Sequence, residues 1–154
     1  SFHFADKAVK VPGLDGSGKM GKSEGNCIYL CDDEKTVTKK IMRAVTDQGP
    51  TQLNQEKPEV IQNLFAFCEL ISGKEAADYY NDLYNNMQIR YGDMKKQLAE
   101  DMIAFISPIR AKAETIYQDR PYLKKIMEEG TEKARASARK TLQAGRELIG
   151  LNYF

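Results

Sequence analysis

Two lysines three positions apart, Lys19 and Lys22, stand in a stretch that reads Gly-Ser-Gly-Lys-Met-Gly-Lys-Ser-Glu-Gly-Asn over residues 16–26. Two ammonium groups at that spacing can clasp one polyanion. The glycines among them let backbone N–H groups come close to a ligand and leave the segment free to move. Ser23 adds a hydroxyl directly after the second lysine. Met20 is the only large aliphatic residue here, so the stretch has no face to bury. The competing reading is a solvated surface turn, the ordinary place for charge.

Gly16 through Ser23 also fits the phosphate-loop pattern G-x-x-x-x-G-K-[ST]. That pattern works only when a helix starts at the Lys-Ser pair and aims its positive end at a phosphate. Gly25 and Asn26 follow at once, and both oppose helix. Cys27-Ile28-Tyr29-Leu30-Cys31 then reads as a short extended run. The phosphate-loop NTPase reading is therefore set aside, and a helix starting at Lys22 would restore it.

The elements that must hold this stretch follow from spacing. Ahead of it, Val9-Lys10-Val11 alternates like a strand and Pro12 ends it. With no sheet to join, residues 1–12 are expected to be poorly ordered, or docked on the helices or a neighbouring molecule. Asp32-Asp33-Glu34 opens the first helix with a cap and acids in the first turn. Val37, Ile41, Met42 and Val45 carry it to about Thr46, before Gly49-Pro50. Residues 47–56 are polar linker. Pro58 suits a first turn, and Val60, Ile61, Leu64, Phe65, Phe67, Cys68, Leu70 and Ile71 make a wide core stripe ended by Ser72-Gly73. A shorter helix over 74–86 carries Ala76, Tyr79, Tyr80, Leu83 and Tyr84. Tyr91-Gly92-Asp93 reads as a capped turn, with a long helix from Met94 to Gln118 kinked at Pro108. Pro121 starts a further segment, Gly130 breaks or bends it, and residues 131–148 resume as helix. Its Lys133, Arg135, Arg139, Lys140 and Arg146 read as a solvated face.

Composition bounds the partners. A chain of 154 residues can bury a real core, and a net charge of +1 confines any nucleic-acid contact to local patches. No apolar run approaches membrane-spanning length, and residues 1–10, mixing Asp6, Lys7 and Lys10 with aromatics, do not resemble a signal peptide. Three cysteines, an odd number, fit a reducing compartment. Cys27 and Cys31 lack the histidines and Cys-x-x-Cys spacing of a metal site, so small buried thiols are expected and no metal ligand is assigned. The chain does not start with methionine and reads as though it begins in the middle of a longer one.

Lys19-Met20-Gly21-Lys22-Ser23 resembles the second signature of class I aminoacyl-tRNA synthetases, Lys-Met-Ser-Lys-Ser. The approach Val11-Pro12-Gly13-Leu14-Asp15-Gly16 and the exit Glu24-Gly25-Asn26 are also similar to that family. Gly21 departs from it, standing where the family has its central serine. Ala44-Val45-Thr46-Asp47 and the close on Glu147-Leu148-Ile149-Gly150-Leu151 narrow the resemblance to the bacterial tryptophanyl-tRNA synthetases, over nearly the whole chain. Tyrosyl-tRNA synthetases share the loop but differ after it.

The resemblance implies a mainly all-α chain: a helical bundle of the anticodon-binding type over residues 32–154. Residues 1–31 would precede it as the C-terminal edge of a Rossmann-like catalytic domain, with the signature loop at 13–26. It implies ATP-dependent activation of L-tryptophan and its transfer to tRNA(Trp), with ATP and Mg2+ as substrate. Lys19, Lys22 and Ser23 are the expected catalytic residues, and Lys19, Met20, Gly21, Lys22 and Ser23 the expected ATP-binding ones, with the Gly21 and Lys22 amides adding hydrogen bonds. Asp47, Lys95 and Lys96 are the expected tRNA contacts. The full-length enzyme would be a cytoplasmic homodimer with neither membrane nor DNA as partner. The first signature motif and the amino-acid pocket of that family have no counterpart in residues 1–15, so this chain is expected to be a C-terminal fragment, inactive alone. The alternatives are a tyrosyl-tRNA synthetase fragment and a non-catalytic helical tRNA-binding module.

Overall fold

A computed structural model describes residues 11–151. Of residues 1–12, expected to be poorly ordered or docked, residues 1–10, with Val9 and Lys10 of the strand-like alternation, lie outside the described residues, whereas Val11 packs against the helical core. Among the described residues five helices follow in order: α1 (Glu34–Met42), α2 (Glu59–Ser72), α3 (Lys74–Asn85), α4 (Tyr91–Gln118) and α5 (Arg120–Leu148). There is no strand among the described residues. The run expected to be extended at Cys27–Cys31 ends instead in a turn. There the Asp32 N–H donates to the Tyr29 carbonyl at 3.0 Å, and the Tyr29 N–H donates to Asp32 Oδ2 at 2.9 Å.

Each helix starts where the chemistry of its first turn allows. The Asp33 carboxylate caps α1, accepting from the Thr36 N–H at 2.7 Å and the Thr36 hydroxyl at 3.1 Å. Those bonds favour the charged form and hold the Asp33 carboxyl below its ordinary range. α1 ends at Met42, short of the expected Thr46. The groups that would continue it are taken by other parts of the chain. The Val45 N–H donates to the Leu14 carbonyl at 2.9 Å, and the Ala44 carbonyl accepts from Lys95 Nζ at 2.7 Å. Gly73 joins α2 to α3 at φ +88°, a backbone region that disfavours a side chain. α4 begins at Tyr91, so the residues expected as a separate turn form its first turn.

The chain divides into two compact units, Ser1–Arg110 and Ala111–Phe154. In the first unit, Val37, Ile41 and Ala44 meet Leu64, Phe67 and Cys68 of α2, Tyr80 of α3, and Met94, Leu98, Ala99, Met102 and Ile106 of α4 in one buried cluster. Val11, Leu14, Met20 and Ile28 pack against it. The signature stretch is therefore rooted in the helical core through apolar side chains on either side of its lysines. Of the three thiols, only Cys68 is buried, and burial pushes its pKa up; Cys31 is exposed. In the second unit, α5 runs unbroken through Gly130, opened by the Asp119 carboxylate, which accepts from the Tyr122 N–H at 3.0 Å. One glycine costs a long helix about 1 kcal/mol, too little to interrupt 29 residues.

Candidate functional site

The loop between Val11 and Cys27 is closed by a knot of polar side chains. Asp15 Oδ1 accepts from the Ser17 hydroxyl at 2.6 Å, the Ser17 N–H at 3.1 Å and Asn26 Nδ2 at 3.0 Å. Asn26 Nδ2 also approaches Ser17 Oγ at 2.7 Å and the Lys19 carbonyl at 3.1 Å. Its oxygen accepts the Gly21 N–H at 2.8 Å. Asn26 thus ties the loop's exit to its entry and holds the backbone on both sides of Met20. Three hydrogen bonds from the Ser17 and Asn26 groups lower the Asp15 pKa to about 2, so this carboxylate stays charged at neutral pH.

Gly13 explains how the knot fits. Its N–H donates to the Ser17 carbonyl at 2.9 Å. A methyl group there would sit 2.5 Å from Asp15 Oδ1 and 2.6 Å from Asn26 Nδ2, and nearer still to Ser17 Oγ. Only a hydrogen leaves room for the three polar groups to converge. A further backbone bond, Met20 N–H to the Val11 carbonyl at 2.7 Å, pairs the two arms of the loop.

Above this base the motif alternates. Met20 packs on the core, whereas Lys19 and Lys22 are exposed. Neither ammonium is in an ion pair among the described residues. Ser23 is exposed and its hydroxyl lies 3.5 Å from Glu24 Oε1. No helix begins at Lys22, and residues 22–25 are turn. The phosphate-loop geometry is therefore absent. The Gly21 amide, expected to face ATP, is donated to Asn26 in this conformation. The arrangement supplies two free cations and one hydroxyl on a tip whose base is fixed. Lys19 stands at an open cleft of about 660 Å³ that is otherwise mostly apolar, with Phe67, Leu70 and Phe105 among its walls.

The three expected tRNA contacts have different surroundings. Lys96 is exposed. Asp47 Oδ1 accepts from the Gly49 N–H and the Tyr91 hydroxyl, both at 2.8 Å, which ties the linker after α1 to the start of α4. Burial, and then this bond to a carboxylate, push the Tyr91 pKa up. Lys95 is 7% exposed, and its ammonium donates to the Ala44 carbonyl at 2.7 Å, with Thr46 Oγ1 at 3.4 Å. Burial lowers its pKa. Lys95 thus holds the Ala44 carbonyl and the Thr46 hydroxyl, next to Asp47 in the chain. Asp15, Ser17 and Asn26 were not singled out as site residues by sequence reasoning. The available signal was an Asx-turn sequence, Asp-Gly-Ser, before the lysines and an asparagine after them.

A sequence profile of the family described as "tRNA synthetases class I (W and Y)" matches residues 4–107. The tryptophan–tRNA ligase of Porphyromonas gingivalis is 54% identical over 150 residues, covering 97% of this chain and 46% of that protein. The tryptophan–tRNA ligase of Streptococcus pyogenes serotype M1 is 36% identical over 154 residues, covering 97% of this chain and 45% of the relative. The crystal structure of tryptophanyl-tRNA synthetase from Campylobacter jejuni complexed with ADP and tryptophan superposes with a TM-score of 0.74 at 29% identity, over 96% of this chain and 45% of that one. The chain spans a little under half the length of the curated relatives it matches.

Proposed function

The chain belongs to the class I tRNA synthetases of the tryptophan and tyrosine group, and we propose that it supplies the signature loop and helical region of a tryptophan–tRNA ligase. The observation that carries this is the pair of free ammonium groups, Lys19 and Lys22, on a tip anchored by Met20 and Asn26. In the activation step the carboxylate of L-tryptophan attacks the α-phosphorus of MgATP. A carbon-bound oxygen joins phosphorus, the bond to the bridging oxygen breaks, and pyrophosphate leaves. Negative charge grows on the leaving group, so cations on it help more in the transition state than before it. Lys19 and Lys22 meet that charge, and Ser23 donates a hydrogen bond. The loop must close on ATP and open for release, and Gly16 and Gly25, both at positive φ, flank the moving part.

On this reading the 154 residues act with a further region that holds the amino acid, and they give no tryptophan-dependent exchange by themselves. The helical region would face tRNA(Trp). On this reading Lys96 and Asp47 contact the RNA, and Lys95 serves them by holding Ala44 and Thr46, next to Asp47 in the chain. The complete enzyme would work in the cytoplasm as a homodimer. No helix among the described residues is long and apolar enough to cross a membrane. Tyrosine is the less favoured substrate, since the two relatives and the one solved structure described above carry tryptophan in their names. The test is ATP–pyrophosphate exchange by the complete enzyme with tryptophan and with tyrosine. Tryptophan-dependent exchange is expected; exchange with tyrosine alone, or robust exchange by the 154 residues in isolation, refutes the proposal.

A further inference from the structure

The groups expected to meet a polyphosphate at the tip of the loop are not equally available. The Lys19 and Lys22 ammonium groups are in no ion pair among the described residues. The Lys22 N–H likewise donates to no other group there. The Gly21 N–H is taken, since it donates to Asn26 Oδ1 at 2.8 Å. Turn bonds bend the same segment back on its exit, from the Glu24 N–H to the Gly21 carbonyl at 3.2 Å and from the Gly25 N–H to the Lys22 carbonyl at 3.4 Å. Asn26 has no easy alternative. Its Nδ2 faces Asp15 Oδ1 at 3.0 Å and the Lys19 carbonyl at 3.1 Å, and both of these only accept. A flipped amide would set its oxygen against a carboxylate and a carbonyl, so the oxygen stays on Gly21. The bond it makes is nevertheless easily exchanged. The amide oxygen is a neutral acceptor, and an N–H bond to a charged phosphate oxygen is roughly twice as strong. Gly21 lies between the two lysines in the chain and is only half-buried, so an anion held by both has no core to displace on its way to the N–H.

We infer that Asn26 is a positioning residue that competes with the substrate: it occupies the Gly21 N–H in the resting loop, and a polyphosphate oxygen takes that N–H from it on binding. No covalent bond changes. One acceptor replaces another, and the exchange reverses when the anion leaves. The inference rests on the reading that Lys19 and Lys22 grip the polyphosphate of ATP, and it adds an effect of definite sign. A side chain that only shaped the site would help the anion to bind. A side chain that competes for a donor hinders it, because full binding is open only to the fraction of loops in which Asn26 has let go. Removing Asn26 therefore tightens polyphosphate binding while it loosens the free loop.

The test uses the 154-residue chain and inorganic pyrophosphate, titrated at constant ionic strength while the Gly21 amide is followed by NMR. Asn26→Ala should bind pyrophosphate roughly threefold to tenfold more tightly than the wild type, as for release of one neutral hydrogen bond. The free proteins should differ at Gly21, whose N–H has lost its partner in the variant. At saturating pyrophosphate the two Gly21 signals should converge, because a phosphate oxygen then accepts the bond in both. A damaged fold cannot imitate tighter binding, and circular dichroism checks that the helices persist. Equal or weaker binding by the variant overturns the inference. So does a wild-type Gly21 signal that pyrophosphate leaves in place, whether the anion fails to bind or Asn26 keeps the N–H. In the complete enzyme Asn26→Ala should lower the KM for ATP by a similar factor and leave the KM for tryptophan unchanged; a raised KM for ATP overturns the inference. A complete wild-type enzyme without tryptophan-dependent exchange refutes the assignment of function instead, and the pyrophosphate titration still decides the role of Asn26.

Discussion

Replacing Asn26 by alanine should unlock the signature loop without unfolding the helices. The amide oxygen holds the Gly21 N–H at 2.8 Å, and the amide nitrogen lies within 3.1 Å of Ser17 Oγ, Asp15 Oδ1 and the Lys19 carbonyl. That nitrogen has only two hydrogens, so at most three bonds are lost in all. At about 0.5–1.5 kcal/mol each, the cost of opening the loop falls by roughly 1.5–4.5 kcal/mol. The lower half of that range is expected, because Asn26 is only half-buried and water replaces part of the loss. Amide hydrogen exchange reads the effect locally. The Gly21 amide should exchange roughly tenfold to a hundredfold faster in the variant, whereas Leu98, at the centre of the core, should not change. Unchanged Gly21 exchange, or equal acceleration at Leu98, refutes the knot as a local lock.

The same knot has a pH signature. The Asp15 pKa lies below its ordinary 3.8, at about 2. A depressed carboxyl pKa means that its contribution is complete above the ordinary value and disappears as pH falls through the folded one. Loop protection should therefore be flat from neutral pH down to about 4, and decline between about 4 and about 2. Asn26→Asp separates this from simple loss of contacts. Aspartate can still accept the Gly21 N–H but cannot donate, and it puts a second carboxylate beside Asp15. The variant loop should be more open than in Asn26→Ala at neutral pH, and should partly reclose when acid protonates one of the pair.

In the complete enzyme, Lys22→Ala should slow tryptophan-dependent ATP–pyrophosphate exchange by roughly 10²–10³, as for loss of one preorganised charge on a leaving group, with a smaller change in the KM for tryptophan. Lys95→Ala should destabilise the first unit by about 1–3 kcal/mol in urea unfolding, because the buried ammonium leaves the Ala44 carbonyl without its partner. Lys96→Ala should leave unfolding unchanged and reduce only the salt slope of tRNA binding by about one. Gly130→Ala should raise α5 helicity and stabilise it by about 0.5–1 kcal/mol, since a Cβ there meets no atom within 4 Å; far-UV circular dichroism and thermal melts check it.

Helix positions were legible because their signals are local. The Asp33 cap, Pro58 at the start of α2 and the spacing of Leu64, Phe67 and Cys68 act within a turn or two of themselves. The end of α1 was not legible. It depends on Leu14 and Lys95, which lie far away in sequence and claim the backbone groups of Val45 and Ala44. The continuity of α5 was misread for a different reason. Gly130 was weighed as a breaker, yet its single penalty is small beside the many good helix formers around it, including the Lys124–Glu128 and Lys125–Glu129 pairs at 3.9 Å.

The site shows the same division at closer range. Lys19, Met20 and Lys22 could be named from their order, because the motif is contiguous. The burial of Lys95 was also within reach: it precedes Leu98 by three and Ala99 by four, which places it on the core face of α4. What spacing cannot reveal is a side chain spent on closing a loop. Asn26 and Asp15 are eleven residues apart, with no periodicity between them, and each reads alone as a turn residue. Only their convergence on Gly13, where no Cβ fits, makes them a lock. A loop that must carry two free cations and still return to one geometry needs such a lock. The bonds that supply it are few and half-exposed, so the loop can open at modest cost.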